Sequence, residues 1–109
     1  MTNDEVINFQ KQMMKGYEAV PKEGKIISYF DRDFIVYQGV FWPRFDSMPL
    51  VGNYEVNKGE SVLDLCTGAG VIAIFSAFRG ASKVVGVDIN PNAIKSAKEN
   101  AKKHKVEKI

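Results

Sequence analysis

The segment with the clearest chemical potential is Asp64-Leu65-Cys66-Thr67-Gly68-Ala69-Gly70, which joins a predicted strand to a predicted helix. At such a junction the backbone N–H groups point outward, and the helix dipole favours negative charge. Glycine lets a ligand touch the backbone, because no Cβ stands in the way. Asp88 ends the next predicted strand, where a carboxylate can accept hydrogen bonds from both hydroxyls of a ribose. Turn and carboxylate together predict a cofactor of the adenosine type; the alternative is an ordinary strand-to-helix turn with a solvated Asp88.

Two classes of adenosine cofactor fit this arrangement, and the polar residues beside the glycines discriminate between them. The stretch Gly68-Ala69-Gly70-Val71-Ile72-Ala73 formally matches the Gly-x-Gly-x-x-Gly/Ala pattern of nicotinamide binding. A pyrophosphate, however, gains nothing from Asp64 at the strand end or from Thr67 directly before the glycine. The ammonium and sulfonium groups of S-adenosyl-L-methionine do gain from a nearby carboxylate. The pattern favours S-adenosyl-L-methionine, while an NAD(P)-dependent oxidoreductase and a non-catalytic binding module stay open as alternatives.

Two sequence motifs resemble those of a known enzyme class. Residues 62–74, VLDLCTGAGVIAI, resemble the first motif of the class I S-adenosylmethionine-dependent methyltransferases, and residues 85–94, VGVDINPNAI, are similar to the second. The resemblance implies an α/β, Rossmann-like class I methyltransferase fold, of which the chain holds the N-terminal portion only. That portion is a βαβα unit preceded by a helix and a β-hairpin. One position departs from the pattern, because Cys66 stands where the family's first glycine usually stands.

The resemblance also assigns roles to individual residues. It implies that Asp64 orients the methionine end of the cofactor, that Asp88 holds the ribose and that Ile89 packs on the adenine. The backbone from Thr67 to Gly70 then approaches the cofactor.

A shorter resemblance lies upstream. Residues 41–47, FWPRFDS, are similar to the Pro-Arg-Pro-Asp/Glu-Thr segment of HemK/PrmC-type glutamine methyltransferases and of related small-domain enzymes that methylate RNA bases. Phe45 replaces the second proline of that segment. The likeness implies that Pro43 to Ser47 folds over the cofactor, with Arg44 or Asp46 near its methionine end; the alternative is a surface loop with an aromatic plug. The predicted cofactor-binding residues are therefore Asp64, Cys66, Thr67, Gly68, Ala69, Gly70, Asp88, Ile89, Arg44 and Asp46.

The resemblance implies methyl transfer to a nitrogen of a protein side chain or an RNA base. Such a transfer mainly needs in-line placement of the nucleophile. The Asn-Pro-Pro-Tyr signature of HemK-type catalysis does not occur in the sequence. The partly similar Asn90-Pro91-Asn92 is not that signature, because it opens the helix after the second strand of the crossover. The catalytic residues are therefore unknown, and we expect a truncated fragment that carries the cofactor half of an enzyme.

The elements before the motifs are predicted from periodicity. Apolar residues recur at helical spacing over residues 3–18, which predicts an amphipathic helix with Val6, Phe9, Met13 and Tyr17 on one face. Apolar runs at 26–30 and 34–37 predict a β-hairpin with a three-residue connection, Asp31-Arg32-Asp33. The following segment, 38–52, predicts a loop with a short helix that Asp46 caps.

The second half of the chain predicts a parallel crossover. A buried strand at 61–66, a helix at 69–78 and a strand at 83–88 precede a helix that Pro91 opens and Asn90 caps. Its predicted inward-facing residues are Ala93, Ile94, Ala97 and Ala101, and His104 is predicted to be solvated at its end. A change in character at Asn57-Lys58-Gly59-Glu60 divides the chain into residues 1–57 and 58–109.

The composition sets the remaining expectations. The chain has 109 residues and a net charge of +2, so nucleic acid is permitted as a partner but not indicated. A single cysteine, the lack of a Cys-x-x-Cys pair or histidine cluster for a metal, and an N-terminus without a secretory signal predict a cytoplasmic protein. No apolar run is long enough to cross a bilayer. The unfinished sheet predicts an open strand edge, through which copies could pair into a homo-oligomer.

Overall fold

The computed structural model describes residues 2–42 and 48–106 of the chain. A helix and an antiparallel hairpin precede a short helix and an alternating strand–helix–strand–helix unit. Within these two ranges, no helix combines the length and the apolar character that a membrane span needs. In chain order the elements are α1 (Asn3–Glu18), β1 (Lys25–Tyr29), β2 (Arg32–Val36), α2 (Met48–Asn53), β3 (Ser61–Leu65), α3 (Val71–Phe78), β4 (Lys83–Val87) and α4 (Pro91–Lys103).

The predicted N-terminal helix is confirmed as α1. The Thr2 hydroxyl accepts a hydrogen bond from the Glu5 N–H, and the Glu5 carboxylate accepts one from the Thr2 N–H, which forms a capping box. Val6 and Phe9 are exposed, and the helix becomes buried at Tyr17, near its C-terminal end. The Gly39 N–H donates to the Tyr17 carbonyl at 2.9 Å. This end of α1 therefore holds the segment that follows the hairpin.

The hairpin is confirmed as β1 and β2, but its predicted three-residue connection is wrong. Tyr29 pairs with Arg32, so the connection consists of Phe30 and Asp31. Both residues have positive φ, 49° and 59°, as in the type I′ turn that matches the twist of a hairpin. The usual signal for this turn is Asn-Gly. Here the Phe30 ring packs edge-on against the Phe75 ring, with 5.7 Å between centroids, a tertiary contact that local sequence does not reveal.

The strands β3 and β4 form the predicted parallel pair, with Leu63 opposite Val85. Helix α3 covers the face that carries Val84. On the other face Leu65 is 67% exposed, because none of the elements in the described ranges packs there. The prediction of a strand at 61–66 is confirmed as far as Leu65. The prediction that this strand is buried is wrong for that face.

Helix α4 begins at Pro91 and is capped by Asn90, as predicted. The predicted inward-facing residues include two buried ones, Ala93 and Ala101, and two half-buried ones, Ile94 and Ala97. Ser96 and Asn100 are fully buried as well, although an apolar pattern cannot indicate polar residues as core positions. The short predicted helix is present as α2, but its predicted cap, Asp46, lies outside the described residues.

The main core joins the hairpin to the crossover unit. Phe34 and Val36 of β2 belong to the same buried cluster as Ile74 of α3 and Ala93 of α4. The Phe34 ring also lies 4.8 Å from the His104 ring. The hairpin and the crossover unit thus share one apolar interior, and the division of the chain into two segments stays a prediction.

Removing the Phe34 side chain should strongly destabilise this shared core. We expect Phe34→Ala to lower the free energy of unfolding by about 3–5 kcal/mol, because a fully buried ring leaves a cavity. The matched control is Ile26→Ala on the adjacent strand, where the side chain is 53% exposed, with an expected loss below about 1 kcal/mol. Urea unfolding of the full-length gene product measures both. Equal losses for the two variants would contradict a core centred on Phe34.

Candidate functional site

The turn between β3 and α3 has a left-handed backbone at three positions. Cys66, Gly68 and Gly70 have φ values of 57°, 56° and 81°. Glycine adopts this conformation freely, whereas an L-residue with a Cβ is strained there. A Cβ on Gly70 would lie 3.0 Å from the Cβ of Ala97, so the glycine also allows α4 to approach the turn. Helix α3 starts at Val71, two residues later than predicted.

Asp88 faces the turn, as predicted. One carboxylate oxygen accepts a hydrogen bond from the Gly68 N–H at 3.0 Å, and the other accepts one from the Asn90 N–H at 2.9 Å. Each oxygen keeps a second lone pair for another donor. The neighbouring Ile89 side chain is fully exposed. A fixed carboxylate beside an exposed apolar side chain offers a polar and an apolar contact at one side of the turn.

Asp64 lies half-buried next to the turn and is held by the turn itself. The Thr67 hydroxyl donates to the Asp64 carboxylate at 2.8 Å. Burial raises the pKa of Asp64 above its ordinary value; the Thr67 hydroxyl and the Ala73 N–H oppose that rise, and the charge of Asp88 adds to it. The site therefore keeps two carboxylates close together at a desolvation penalty.

Gly86 in β4 has a role that sequence analysis missed. A Cβ at this position would lie 2.7 Å from the Thr67 hydroxyl oxygen, so the glycine provides the space that the Thr67 side chain occupies. The only local signal is a small residue inside an otherwise apolar strand.

Phe41 also contacts the turn, which sequence analysis likewise missed. Its carbonyl accepts a hydrogen bond from the Ala69 N–H at 3.2 Å. A Cβ on Gly68 would lie 2.5 Å from that carbonyl oxygen, so glycine is required for this close approach. The chain after the hairpin thus passes directly against the turn at Phe41, just before residues 43–47, which are predicted to cover the cofactor.

His104 is not the solvated residue that the sequence predicted. Its Nε2 lies 2.7 Å from the Asp33 carbonyl oxygen, and its ring is half-buried against Phe34. The residue anchors the hairpin to the end of α4.

The structure brings most of the predicted site residues together. Those grouped around the turn are Asp64, Cys66, Thr67, Gly68, Ala69, Gly70 and Asp88, with Ile89 beside them. Arg44 and Asp46 lie outside the described residues. Contact of any of these side chains with a cofactor stays a prediction.

Solved structures share the fold of this chain. The chain matches the ribosomal protein L11 methylase of Lactobacillus delbrueckii subsp. bulgaricus with a TM-score of 0.55 and 27% identity, over 68% of this chain and 40% of that one. It matches Methanocaldococcus jannaschii TYW2, solved in complex with AdoMet, with a TM-score of 0.66 and 21% identity, over 81% of this chain and 42% of that one. With the motifs at residues 62–74 and 85–94, this fold is that of the class I S-adenosylmethionine-dependent methyltransferases.

Sequence comparison identifies the family within that class. Residues 47–109, more than half of the chain, match the sequence model of the ribosomal protein L11 methyltransferase (PrmA) family; the chain belongs to this family. It is also 49% identical over 67 residues to an M. jannaschii protein described as a protein N5-glutamine methyltransferase, which covers 62% of this chain and 34% of that protein. The chain thus spans about a third of this curated relative.

Replacing Cys66 by glycine should stabilise the protein. Cys66→Gly relieves a left-handed residue of its Cβ, so we expect the free energy of unfolding to rise by about 1 kcal/mol. Cys66→Ala is the control, since it removes the thiol but keeps the Cβ. Thermal and urea unfolding measure the difference between the two variants, and the absence of a gain for glycine over alanine would contradict a strained turn.

Asp64→Asn should raise stability at neutral pH. Burial raises the folded-state pKa of Asp64, so the folded protein binds a proton more tightly than the unfolded chain. Its contribution to stability is then fully present below the unfolded pKa of about 4 and is lost as the pH rises through the folded pKa. Asparagine carries no charge to desolvate and should remove this decline. Urea unfolding between pH 4 and pH 7 compares it with Glu55→Gln, an exposed carboxylate; identical pH profiles would contradict the interpretation.

Proposed function

We propose that this chain forms the cofactor-binding part of a methyltransferase that uses S-adenosyl-L-methionine. The supporting observation is the Asp88 carboxylate, which two backbone N–H groups fix at the mouth of the glycine turn. Both oxygens retain lone pairs for the two hydroxyls of a ribose. Ile89, exposed beside Asp88, offers an apolar surface to an adenine ring.

The second carboxylate suits the other end of the same cofactor. Asp64 is bonded to the Thr67 hydroxyl and is partly desolvated, so its charge is poorly screened. A positive ammonium or sulfonium group nearby would be stabilised there, whereas a pyrophosphate would be repelled. These residues therefore fit S-adenosyl-L-methionine better than a dinucleotide.

The cofactor, when bound, supplies an electrophilic methyl group on its sulfonium. We propose that the acceptor is a nitrogen of a protein side chain or of an RNA base. The family description, which names a ribosomal protein, and the relative described as a protein N5-glutamine methyltransferase favour the protein acceptor. The HemK/PrmC-type assignment and the roles of Arg44 and Asp46 belong to the same proposal.

A cytoplasmic location and pairing between copies complete the proposal. Cys66, the single cysteine of the chain, is a free and exposed thiol, as is usual in a reducing compartment. Among the described residues, the β3–β4 sheet has two strands only, and its open strand edges are where a second copy could pair.

Removing the Asp88 carboxylate should abolish most of the cofactor affinity. Loss of two hydrogen bonds to a charged acceptor corresponds to about 2–4 kcal/mol, so Asp88→Ala should weaken S-adenosylhomocysteine binding by about 30-fold or more. Isothermal titration calorimetry on the full-length gene product measures this, with the exposed carboxylate variant Asp33→Ala as the control.

Titration of the same protein with NADH separates the two enzyme classes. Binding of NADH in place of S-adenosylhomocysteine would contradict the proposal in favour of an oxidoreductase. If the protein binds neither NADH nor S-adenosylhomocysteine, the proposal is contradicted in favour of a non-catalytic binding module.

A further inference from the structure

The hairpin is attached to α4 through polar side chains as well as through the apolar core. Asn90, Asn92, Ser96 and Asn100 each hydrogen-bond to the backbone of residues 35–39. The last three recur every four residues and so lie on one face of the helix. The side chains on that face bond to backbone N–H and carbonyl groups of β2 and of the residues after it, as the backbone of a neighbouring strand would do.

Asn100 differs from the other three in what else it binds. Its side-chain oxygen accepts a hydrogen bond from the Ile35 N–H at 2.6 Å, and its amide nitrogen donates to the Ile35 carbonyl at 2.9 Å. The same nitrogen donates to the Ala69 carbonyl at 2.8 Å. Asn100 is fully buried, and both of its side-chain N–H groups are thereby used. One side chain thus connects the hairpin to the glycine turn.

The Ala69 peptide groups are held from two directions. The Ala69 N–H donates to the Phe41 carbonyl, and the Ala69 carbonyl accepts from Asn100. The preceding N–H, of Gly68, donates to Asp88. The orientation of these peptide groups therefore depends on partners from three separate parts of the chain. Without Asn100, the buried Ala69 carbonyl loses its partner, and these peptide groups are held by Phe41 and Asp88 alone.

We propose that Asn100 is a positioning residue for the cofactor turn: it fixes the Ala69 carbonyl, and through the Ala69 backbone it steadies the Gly68 N–H that holds Asp88. The inference rests on the proposed function, because the ligand that reports on the turn is S-adenosylhomocysteine. Ser96 provides a matched comparison, since it is equally buried on the same helix and accepts from the Tyr37 N–H at 3.2 Å. Its hydrogen bond is to the hairpin and not to the turn.

Affinity measured on two variants separates positioning from simple support of the fold. We expect Asn100→Ala to weaken S-adenosylhomocysteine binding to the full-length gene product by about tenfold, which corresponds to ~1.4 kcal/mol. Ser96→Ala should change the dissociation constant by less than about twofold, although it also removes a buried hydrogen bond to the hairpin. Calorimetry is performed at a temperature at which circular dichroism shows both variants to be folded.

A second variant and a measurement on the wild-type protein test the inference even if Asn100→Ala does not fold. Asn100→Ser keeps a small donor and should give a smaller loss of affinity than alanine. In the unmodified protein, the side-chain amide NMR resonances of Asn100 should shift when S-adenosylhomocysteine is added, together with the Gly68 amide.

The possible results lead to distinct conclusions. No binding by the wild-type protein overturns the proposed function and this inference with it. Wild-type binding overturns the inference alone if Asn100→Ala and Ser96→Ala weaken affinity equally. The inference is also overturned if the wild-type protein binds S-adenosylhomocysteine and the Gly68 amide resonance shifts while the Asn100 side-chain resonances stay fixed.

Discussion

The turn of residues 66–70 depends on hydrogen-bond partners outside it: of the N–H groups from Thr67 to Gly70, only that of Gly70 bonds within the turn, to the Thr67 carbonyl at 2.8 Å. A peptide group removed from water without a hydrogen bond is costly. The Thr67 N–H donates to Val87, and the Gly68 N–H to Asp88. The Ala69 N–H donates to the Phe41 carbonyl, and the Ala69 carbonyl accepts from Asn100. The backbone geometry of the turn therefore depends on residues from three other parts of the chain: the segment at Phe41, the end of β4 with Asp88, and Asn100 of α4.

This dependence explains which features the sequence could predict. The glycines of the turn, the carboxylate of Asp88 and the Asn90 cap are encoded within a few residues of the structure they form, and all three lie as expected. Helix and strand periods are equally local, so the element order was predictable. The Asn100 contact joins residues 65 positions apart, and no local pattern reports it. The close approach of Phe41 to Gly68 was missed for the same reason.

Two wrong predictions, the length of the hairpin connection and the burial of β3, both concern contacts with other elements of the fold. Phe30 and Asp31 form a tight turn without the usual Asn-Gly, and a tertiary contact of the Phe30 ring accompanies it. Leu65 belongs to an apolar strand but is exposed, because burial depends on which elements cover a sheet and not on the strand alone.

The site itself carries two energetic penalties: backbone strain at Cys66 and desolvation of the Asp64 carboxylate. Proteins tolerate such penalties where a ligand-binding geometry requires them.

The most direct test of the account is a crystal structure of the full-length gene product with S-adenosylhomocysteine. Both ribose hydroxyls should lie within about 3 Å of the Asp88 carboxylate oxygens, with the turn otherwise as described. The Asn100 amide should remain bonded to the Ala69 carbonyl. A ligand whose ribose lies away from Asp88, or a turn that rearranges to release Ala69, would contradict the account.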